Sequence, residues 1–227
     1  MVISAHLDHL GIGQPINGDK IYNGAMDNAS GVASLLEVAQ SLKGSSQRPS
    51  RSILFLAVTG EEKGLQGSRY FANHPTVPGR ALVADLNTDM FLPIHALKTV
   101  RVFGLNESSL GDDLRTVCAS LGVGLQPDPE PDRNIFIRSD QYSFIRQGIP
   151  SLFFGFGYEP GSPEEQLHKE WLKNRYHAPS DDLGQPVDKA AAAQFNRILL
   201  ALAERVANAP ERPFWKSDSF FKRFAKH

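Results

Sequence analysis

The sequence predicts an α/β fold of three layers, α/β/α, with a mostly parallel central sheet. Strand-sized apolar runs alternate with helical patterns along the chain, which is typical of βαβ units. The run SILFLAV at 52–58 is almost continuously apolar, as expected of a central strand covered on both faces. The 227 residues are enough to bury a substantial core, so we expect one domain over 1–227 with a C-terminal tail at 210–227.

The predicted elements follow one another from the N-terminus. The short apolar run VISA is expected to form a strand that ends near His6. Apolar residues at helical spacing predict a helix over 30–42, with Gly44 as a stop signal, before the strand at 52–58. The remaining elements alternate similarly: strands at 81–86, 99–105 and 151–156, helices at 109–121, 139–148 and 187–206, and loops at 127–132 and 157–183.

Composition excludes several classes of function. The formal net charge is −1, from 24 Lys+Arg and 25 Asp+Glu, and no long run of one sign predicts binding to nucleic acid or to a membrane surface. A small neutral or peptide-like substrate is expected instead. The apolar runs are shorter than the roughly 20 residues of a membrane helix. A single cysteine, Cys118, excludes an internal disulfide and is expected to be a buried packing residue.

Acidic and imidazole side chains lie where the predicted strands end. His6 follows the first strand, the pair Glu61 and Glu62 follows 52–58, and Asp89 follows 81–86. Parallel sheets bind ligands beyond the carboxyl ends of their strands. Two further candidates complete the set: Asp27, before the first helix, and His177, in the loop at 157–183.

These residue types suit a two-metal hydrolase. Zinc accepts imidazole nitrogen and carboxylate oxygen, and two ions can share one bridging carboxylate. Five ligands then suffice for two ions, and one glutamate of the pair is left over as a general base. Spacing alone does not decide between Glu61 and Glu62. Taken singly, each residue also has a structural interpretation, such as an acidic first helical turn for the glutamates or a helix N-cap for Asp27.

Four motifs in this order resemble the M28 family of zinc aminopeptidases and carboxypeptidases, which carry two metal ions. They are AHLDH, GAMDNASG, TGEEKGLQGS and YHAPSDD, and Asp89 in NTDM lies at the spacing of the acidic ligand in that family. The resemblance covers nearly the whole chain. It implies a zinc-exopeptidase fold with phosphorylase/hydrolase-like architecture, two zinc ions per chain and a peptide or aminoacyl substrate.

The resemblance also implies a role for each residue. Asp27 would bridge the ions, with His6 and Asp89 on one zinc and Glu62 and His177 on the other. Glu61 would be the general base. The remaining implied roles are support of His6 by Asp8, oxyanion stabilisation by Tyr176, and a cis peptide bond between Asp27 and Asn28.

Four more residues are candidates for binding substrate. Ser139 and Asp140 resemble a family element near the substrate pocket, although Gln141 stands where the family has a histidine. Phe156 and Tyr158 are expected to line an apolar specificity pocket, whereas Phe153 is expected to be strand core. The histidines outside the motifs are expected to be surface or hydrogen-bonded groups: His9, His74, His95 and His168.

Several alternatives stay open. An M20-like deacylase has a similar ligand set but needs an inserted lid domain. A relative that cyclises N-terminal glutamine binds a single zinc, and a non-catalytic binding relative would have lost ligands. A serine hydrolase is disfavoured because the sequence lacks G-x-S-x-G. The sequence leaves open whether amino or carboxyl termini are trimmed.

Five residues precede His6, whereas the family fold places a helix and further strands before this point. We therefore expect the chain to be the catalytic part of a longer precursor, or a product with a late start. Without those strands the sheet would expose an unpaired edge, which favours oligomerisation. No signal peptide is evident in the sequence, so localisation is unknown, and export would need a signal in a longer precursor.

Overall fold

A computed structural model describes residues 1–225 as a six-stranded mixed sheet between helices, with a separate two-stranded ribbon. The strands are β1 Val2–His6, β2 Gly11–Ile16, β3 Asp19–Tyr22, β4 Leu54–Val58, β5 Asp85–Asn87, β6 Thr99–Phe103, β7 Gly124–Pro127 and β8 Ser151–Phe156. The α-helices are α1 Ser30–Gly44, α2 Gln66–Asn73, α3 Ser109–Leu121, α4 Gln141–Ile145, α5 Pro163–Asn174 and α6 Lys189–Asn208.

The order of the strands in the sheet is β4-β1-β5-β8-β6-β7. β1 pairs in parallel with β4 and β5, and β5 with β8. β6 runs antiparallel to β8, and β7 is parallel to β6. The carboxyl ends of β4, β1, β5 and β8 therefore lie along one edge of the sheet, together with the amino end of β6. The mostly parallel sheet of the prediction is confirmed.

Alternating side chains of the strands divide between two apolar layers. Ile3, on one face of β1, belongs to the main core together with α1, α3 and α6, in which Phe195 is fully buried. Val2 points to the opposite face and packs with Phe71 of α2 and Phe144 of α4. Burial on both faces explains why these strands are nearly continuous in apolar residues. Cys118 is buried in the main core, as predicted.

Several predicted elements need correction. The strand expected at 81–86 is only the short β5, because Gly79–Ala81 form a 3-10 turn. The loop expected at 157–183 contains α5, whose N-terminus is capped by Ser162. The short elements α2 and β7 were not predicted.

The ribbon of β2 and β3 was not predicted either. It is exposed along nearly its whole length, so no apolar alternation marks it. The dipeptide Asn17-Gly18, with positive φ at both residues, is a hairpin signal that the sequence did carry.

The described part of the tail packs against the domain. Trp215 is buried beside Phe221, and its indole N–H donates to the Gly148 carbonyl at 3.0 Å. Residues 226 and 227 of the predicted tail lie outside the described residues. Within residues 1–225, no helix has the length and apolar character needed to cross a bilayer.

Candidate active site

The sheet brings four of the candidate residues to one edge. His6 is the last residue of β1, Glu61 and Glu62 follow β4, and Asp89 follows β5. Because β4, β1 and β5 are neighbours and parallel, their carboxyl ends converge, as the sequence predicted.

Asp27 approaches the same edge from the segment before α1. Its peptide bond to Asn28 is cis, as the resemblance implies, and Asp27 is 4% exposed. The backbone N–H groups of Met26 and Asp27 donate to the two carboxylate oxygens of Asp181 at 2.8 and 3.0 Å. Asp181 thus fixes the backbone that carries the Asp27 side chain.

The Asp27 carboxylate lies between two histidines. Its Oδ1 is 3.2 Å from His6 Nε2, and its Oδ2 is 3.3 Å from His177 Nε2. Each histidine also faces a second carboxylate: Asp89 Oδ1 at 3.2 Å from His6, and Glu62 Oε2 at 3.1 Å from His177. The five predicted ligands therefore form two groups that share Asp27.

The donor atoms fit zinc. Two ligands that are each about 2.0–2.1 Å from a tetrahedral zinc ion lie roughly 3.3 Å apart, close to the spacings within each group. Imidazole nitrogen and carboxylate oxygen are both zinc ligands. Both oxygens of the Glu62 carboxylate face imidazole nitrogens, with Oε1 at 2.9 Å from His9 Nδ1 and Oε2 at 3.1 Å from His177 Nε2. His6, Asp27 and Asp89 could hold one ion, and a second group of His9, Asp27 and Glu62 could hold another.

The electrostatics of the cluster favour bound cations. Burial by itself would lower the pKa of His6, but Asp27 and Asp89 raise it to about 12. Contacts with Asp27 and Glu62 raise the pKa of His177 to about 10. Burial would raise the pKa of Asp27, yet His177 and His6 hold it well below its usual range. The carboxylates that retain protons on these imidazoles would equally retain divalent ions, which compete with those protons.

The predicted role of Asp8 needs correction. His6 Nδ1 lies 2.8 Å from the backbone carbonyl oxygen of Asp8, not from its carboxylate. That carbonyl fixes the ring orientation and leaves Nε2 for a metal. The Asp8 carboxylate instead accepts the backbone N–H of Gly60, with both oxygens at 2.9 Å. Asp8 thus ties the end of β1 to the turn that carries the two glutamates.

Glu61 and Glu62 lie in a 3-10 turn, Glu61–Lys63, directly after β4. Both line the cavity beside Asp27 and Asp89. Burial, and next the negative charge of Asp89, raise the pKa of Glu61 to about 9. Glu61 forms no ion pair among the described residues, whereas both oxygens of Glu62 face histidines. The geometry therefore separates a ligand-like Glu62 from a Glu61 that faces the cavity.

Tyr176 also lines the cavity. Its ring stacks on that of His177, with centroids 3.8 Å apart. Burial, with Asp27 as the next contribution, raises the pKa of the Tyr176 phenol, so its hydroxyl stays protonated and can donate a hydrogen bond. Tyr176 therefore lies on the cavity wall beside the candidate ligand His177, and its oxyanion role stays a prediction.

Of the neighbouring residues considered for substrate binding, one lines the cavity and the others are buried. Ser139 lines the cavity, and its hydroxyl donates to Asp89 Oδ2 at 2.6 Å. Asp140 is fully buried, and burial raises its pKa to about 6. Gln141, at the family's histidine position, is also buried and accepts from Asn87 at 2.7 Å.

The two aromatic predictions need correction. Phe156 is buried in the main core, and Tyr158 packs against His168 at a centroid distance of 5.0 Å, behind the cavity wall. Phe153, expected to be only core, lines the cavity instead. In β8, Phe153 and Gly155 face the cavity and Phe154 and Phe156 the core, so the error is one of strand register.

Two histidines were missed. The side chain of His9 is 3% exposed, and its Nδ1 lies 2.9 Å from Glu62 Oε1. His168, on α5, is buried and lines the cavity. A signal for His9 was its position directly after the AHLD segment, whereas His168 could not be recognised because α5 was not predicted.

The cavity has a volume of about 350 Å³, within the range of small-molecule sites. Candidate metal ligands lie on its wall together with the apolar side chains Phe103, Ile135, Phe153 and Leu172. It can therefore hold a side chain next to the metal ligands.

Comparison with known proteins agrees with this geometry. The model of peptidase family M28 matches residues 1–203. A probable zinc metalloprotease of Pyricularia oryzae is 28% identical over 240 aligned residues, covering 92% of this chain and 47% of that protein. Leupeptin-inactivating enzyme 1 of Streptomyces exfoliatus is 26% identical, covering 94% of this chain and 47% of that protein. The chain spans about half the length of these curated relatives.

Solved structures confirm the fold class. BSAP, a zinc aminopeptidase from Bacillus subtilis, matches with a TM-score of 0.65 at 24% identity, over 89% of this chain and 44% of that one. The fold and the match over residues 1–203 lead to one assignment: the chain belongs to peptidase family M28.

Proposed function

We propose that the chain is a zinc-dependent exopeptidase that removes N-terminal residues from peptides with two zinc ions. The observation that carries this proposal is the Asp27 carboxylate, whose oxygens face His6 and His177 separately. A buried carboxylate between two imidazole–carboxylate pairs is the arrangement that a bridging ligand requires.

The proposed ligands are His6 and Asp89 for one ion, Glu62 and His177 for the other, and Asp27 for both. When bound, the zinc ions would polarise the scissile carbonyl and lower the pKa of the attacking water.

Glu61 acts as the general base. Its carboxylate lines the cavity, and in the ionised form, which nearby cations would favour, it can take a proton from the attacking water. As the C–N bond breaks, Glu61 returns that proton to the leaving amine nitrogen. The Tyr176 hydroxyl donates to the carbonyl oxygen as it gains negative charge. The step is balanced, because the water supplies one hydroxyl to the acyl product and one proton to the amine.

Substitution of Glu61 separates catalysis from metal binding. We expect Glu61→Gln to retain both zinc ions, because its oxygens are not in either ligand group, and to lower kcat by about 10²–10⁴-fold, the usual contribution of a general base. Zinc per chain and hydrolysis of aminoacyl chromogenic amides measure the two effects. Near-normal turnover by this variant would contradict the role of Glu61.

Zinc titration of chelator-treated protein tests the number of ions and the type of enzyme. Activity on an aminoacyl amide should need two equivalents of zinc. Saturation at one equivalent would instead favour the glutamine-cyclising alternative. Turnover only of peptides with a blocked amino terminus and a free carboxyl terminus would favour a carboxypeptidase or an M20-like deacylase, and zinc binding without turnover would favour a binding relative.

A further inference from the structure

An arginine lies on the wall of the same cavity as the candidate metal ligands. Arg101, in the middle of β6, lines this cavity opposite Gly155 of β8. Val100 and Val102, the neighbours of Arg101, point to the other face of the sheet and belong to the main core.

The Arg101 guanidinium has no carboxylate partner within residues 1–225. Its Nε is buried without a hydrogen bond among these residues. Asp128 and Glu130 act on its charge only through space, and Glu130 is already paired with Arg133 at 3.0 Å. A desolvated cation without a counter-ion is costly, and a bound carboxylate would offset that cost.

Aromatic rings hold this guanidinium in place. Its Cζ lies 5.1 Å from the centroid of Phe103 and 5.6 Å from that of Tyr158. An arginine fixed between rings loses little conformational entropy when it binds a planar carboxylate at two points. The geometry is thus preorganised for such a ligand.

A second donor lies beside the first. Arg101 Nη1 is 3.4 Å from His168 Nε2, and His168 Nδ1 is buried without a partner among the described residues. Burial, and next the charge of Arg101, lower the pKa of His168 to about 3, so the ring is neutral. Because the arginine can only donate, Nε2 accepts and Nδ1 carries the proton. The Nδ1–H of His168 is therefore a buried donor without a partner among the described residues, on the side of the ring that faces away from Nε2.

Two further arginines add positive charge to the wall of the cavity on which Arg101 lies. Arg133 and Arg138 also line the cavity, and both are exposed. The arginines face a cavity whose other wall carries the carboxylates of the metal site, so a substrate with both a free amine and a carboxylate matches the two signs of charge.

We propose that Arg101 and His168 form a subsite that selects substrates with a carboxylate near the scissile bond. This carboxylate is either the acidic side chain of an N-terminal glutamate or aspartate, or the terminal α-carboxylate of a peptide. The proposal rests on the proposed function, whose metal centre lies in the same cavity. It excludes lysine and arginine as preferred residues, because their charge has the sign of the subsite.

Glutamate and glutamine amides of the same chromogen test the side-chain source, since they differ only in charge and one donor group. We expect the zinc-loaded protein to favour the glutamate amide at least about tenfold in kcat/KM, because loss of a charged hydrogen-bonding partner costs about 1.4 kcal/mol or more. Arg101→Met should remove this preference and bring the kcat/KM values of the glutamate and glutamine amides to within about threefold of each other. Arg48→Met, which removes an exposed surface arginine, is the matched control and should behave as wild type.

A second arm tests the α-carboxylate. A dipeptide with a free amino terminus and a free carboxyl terminus is compared with its carboxamide in the wild type and in Arg101→Met. Preference for the free acid that depends on Arg101 supports the subsite with this source. A preference for leucine or lysine amides over both carboxylate substrates overturns the proposal, and so does an equal loss on all substrates in Arg101→Met.

Binding supplies a measurement that is independent of turnover. Calorimetry with the zinc-loaded Glu61→Gln variant should show that glutamate binds more tightly than glutamine. In the double variant that also carries Arg101→Met, the two affinities should be equal. If Arg101→Met does not fold, Arg101→Gln replaces it, and an unchanged ratio of glutamate to glutamine affinity overturns the subsite. Glutamate binding that depends on Arg101 in a protein that cleaves no amide would sustain the subsite and refute the proposed function.

Discussion

At the scale of the residue, one side chain faces both groups of candidate metal ligands. Asp27 faces His6 with one oxygen and His177 with the other. Asp27→Ala should therefore lower the affinity for both zinc ions together. The loss should exceed the roughly 10–100-fold that removal of a supporting hydrogen bond costs. Metal analysis after dialysis measures the effect, with Asp218→Ala, at an exposed position, as control. Loss of a single ion would show that Asp27 does not bridge.

A buried carboxyl group outside the metal centre makes stability depend on pH. Burial raises the pKa of Asp85 well above its usual range, although the Ser4 hydroxyl donates to it at 2.8 Å. The folded protein thus keeps a proton that the unfolded chain releases above about pH 4. Stability should fall as pH rises from there towards the raised pKa, because the folded state binds more protons.

Asp85→Asn should remove this dependence, since an amide carries no proton to lose. In chelated protein the Tm of the variant relative to wild type should increase between pH 4 and pH 8. Asp218→Asn, at an exposed position, serves as control. A Tm difference that is the same at both pH values would contradict the buried-acid interpretation.

The sequence motifs predicted which candidate ligand residues would converge, but they did not predict the groups that hold these residues in place. His6, Asp27, Glu62, Asp89 and His177 converge because strand ends and ordered motifs are local properties. The partner of His6 Nδ1 is a backbone carbonyl, which every residue has, so no residue type could indicate it. The contact between Asp181 and the backbone at Asp27 joins positions 154 residues apart, which spacing does not predict.

At the scale of the element, helix α5 is connected to the metal site through side chains. The indole N–H of Trp171 donates to Gln185 at 2.6 Å, and Gln185 donates to Asp181. Asp181 then accepts the N–H groups of Met26 and Asp27. This series of hydrogen bonds holds a candidate ligand in position from a helix that the sequence did not reveal, because α5 is amphipathic over only three turns and most of its residues are polar.

Removal of Asp181 should test this connection. Asp181→Ala leaves two buried N–H groups without acceptors, at a cost of about 1–3 kcal/mol for each group. We expect a lower Tm and a roughly 10–100-fold loss of zinc affinity, the range for supporting groups. Asp182→Ala is the matched control, because the Asp182 carboxylate accepts only the Gly184 N–H in the described structure, and its backbone carbonyl, which accepts from Gln185, is retained. Equal zinc affinity in the two variants would contradict the supporting role.

At the scale of the whole molecule, the sheet has an accessible edge. Within the described residues β4 pairs only with β1, and its side chains are partly exposed. Unpaired backbone groups at such an edge can pair with another strand, so we predict self-association. Ala57→Lys places a charge on this strand and should raise the dissociation constant at least about tenfold, or 1.4 kcal/mol. Sedimentation over a range of concentrations measures it, and a monomer at every concentration would contradict the prediction.

Different segments of the chain supply the candidate metal ligands and the part of the cavity wall that includes β6, the strand with reversed direction. The metal-ligand candidates lie at or before Asp89 and again at His177, whereas Arg101, Phe153 and His168 of the cavity wall come from the single stretch between them. Hydrogen bonds join the two parts at the site: Ser139 donates to Asp89, and the Met90 N–H donates to Asn28. Grafting the intervening stretch from a relative is thus a route to a new substrate preference on an unaltered reaction centre.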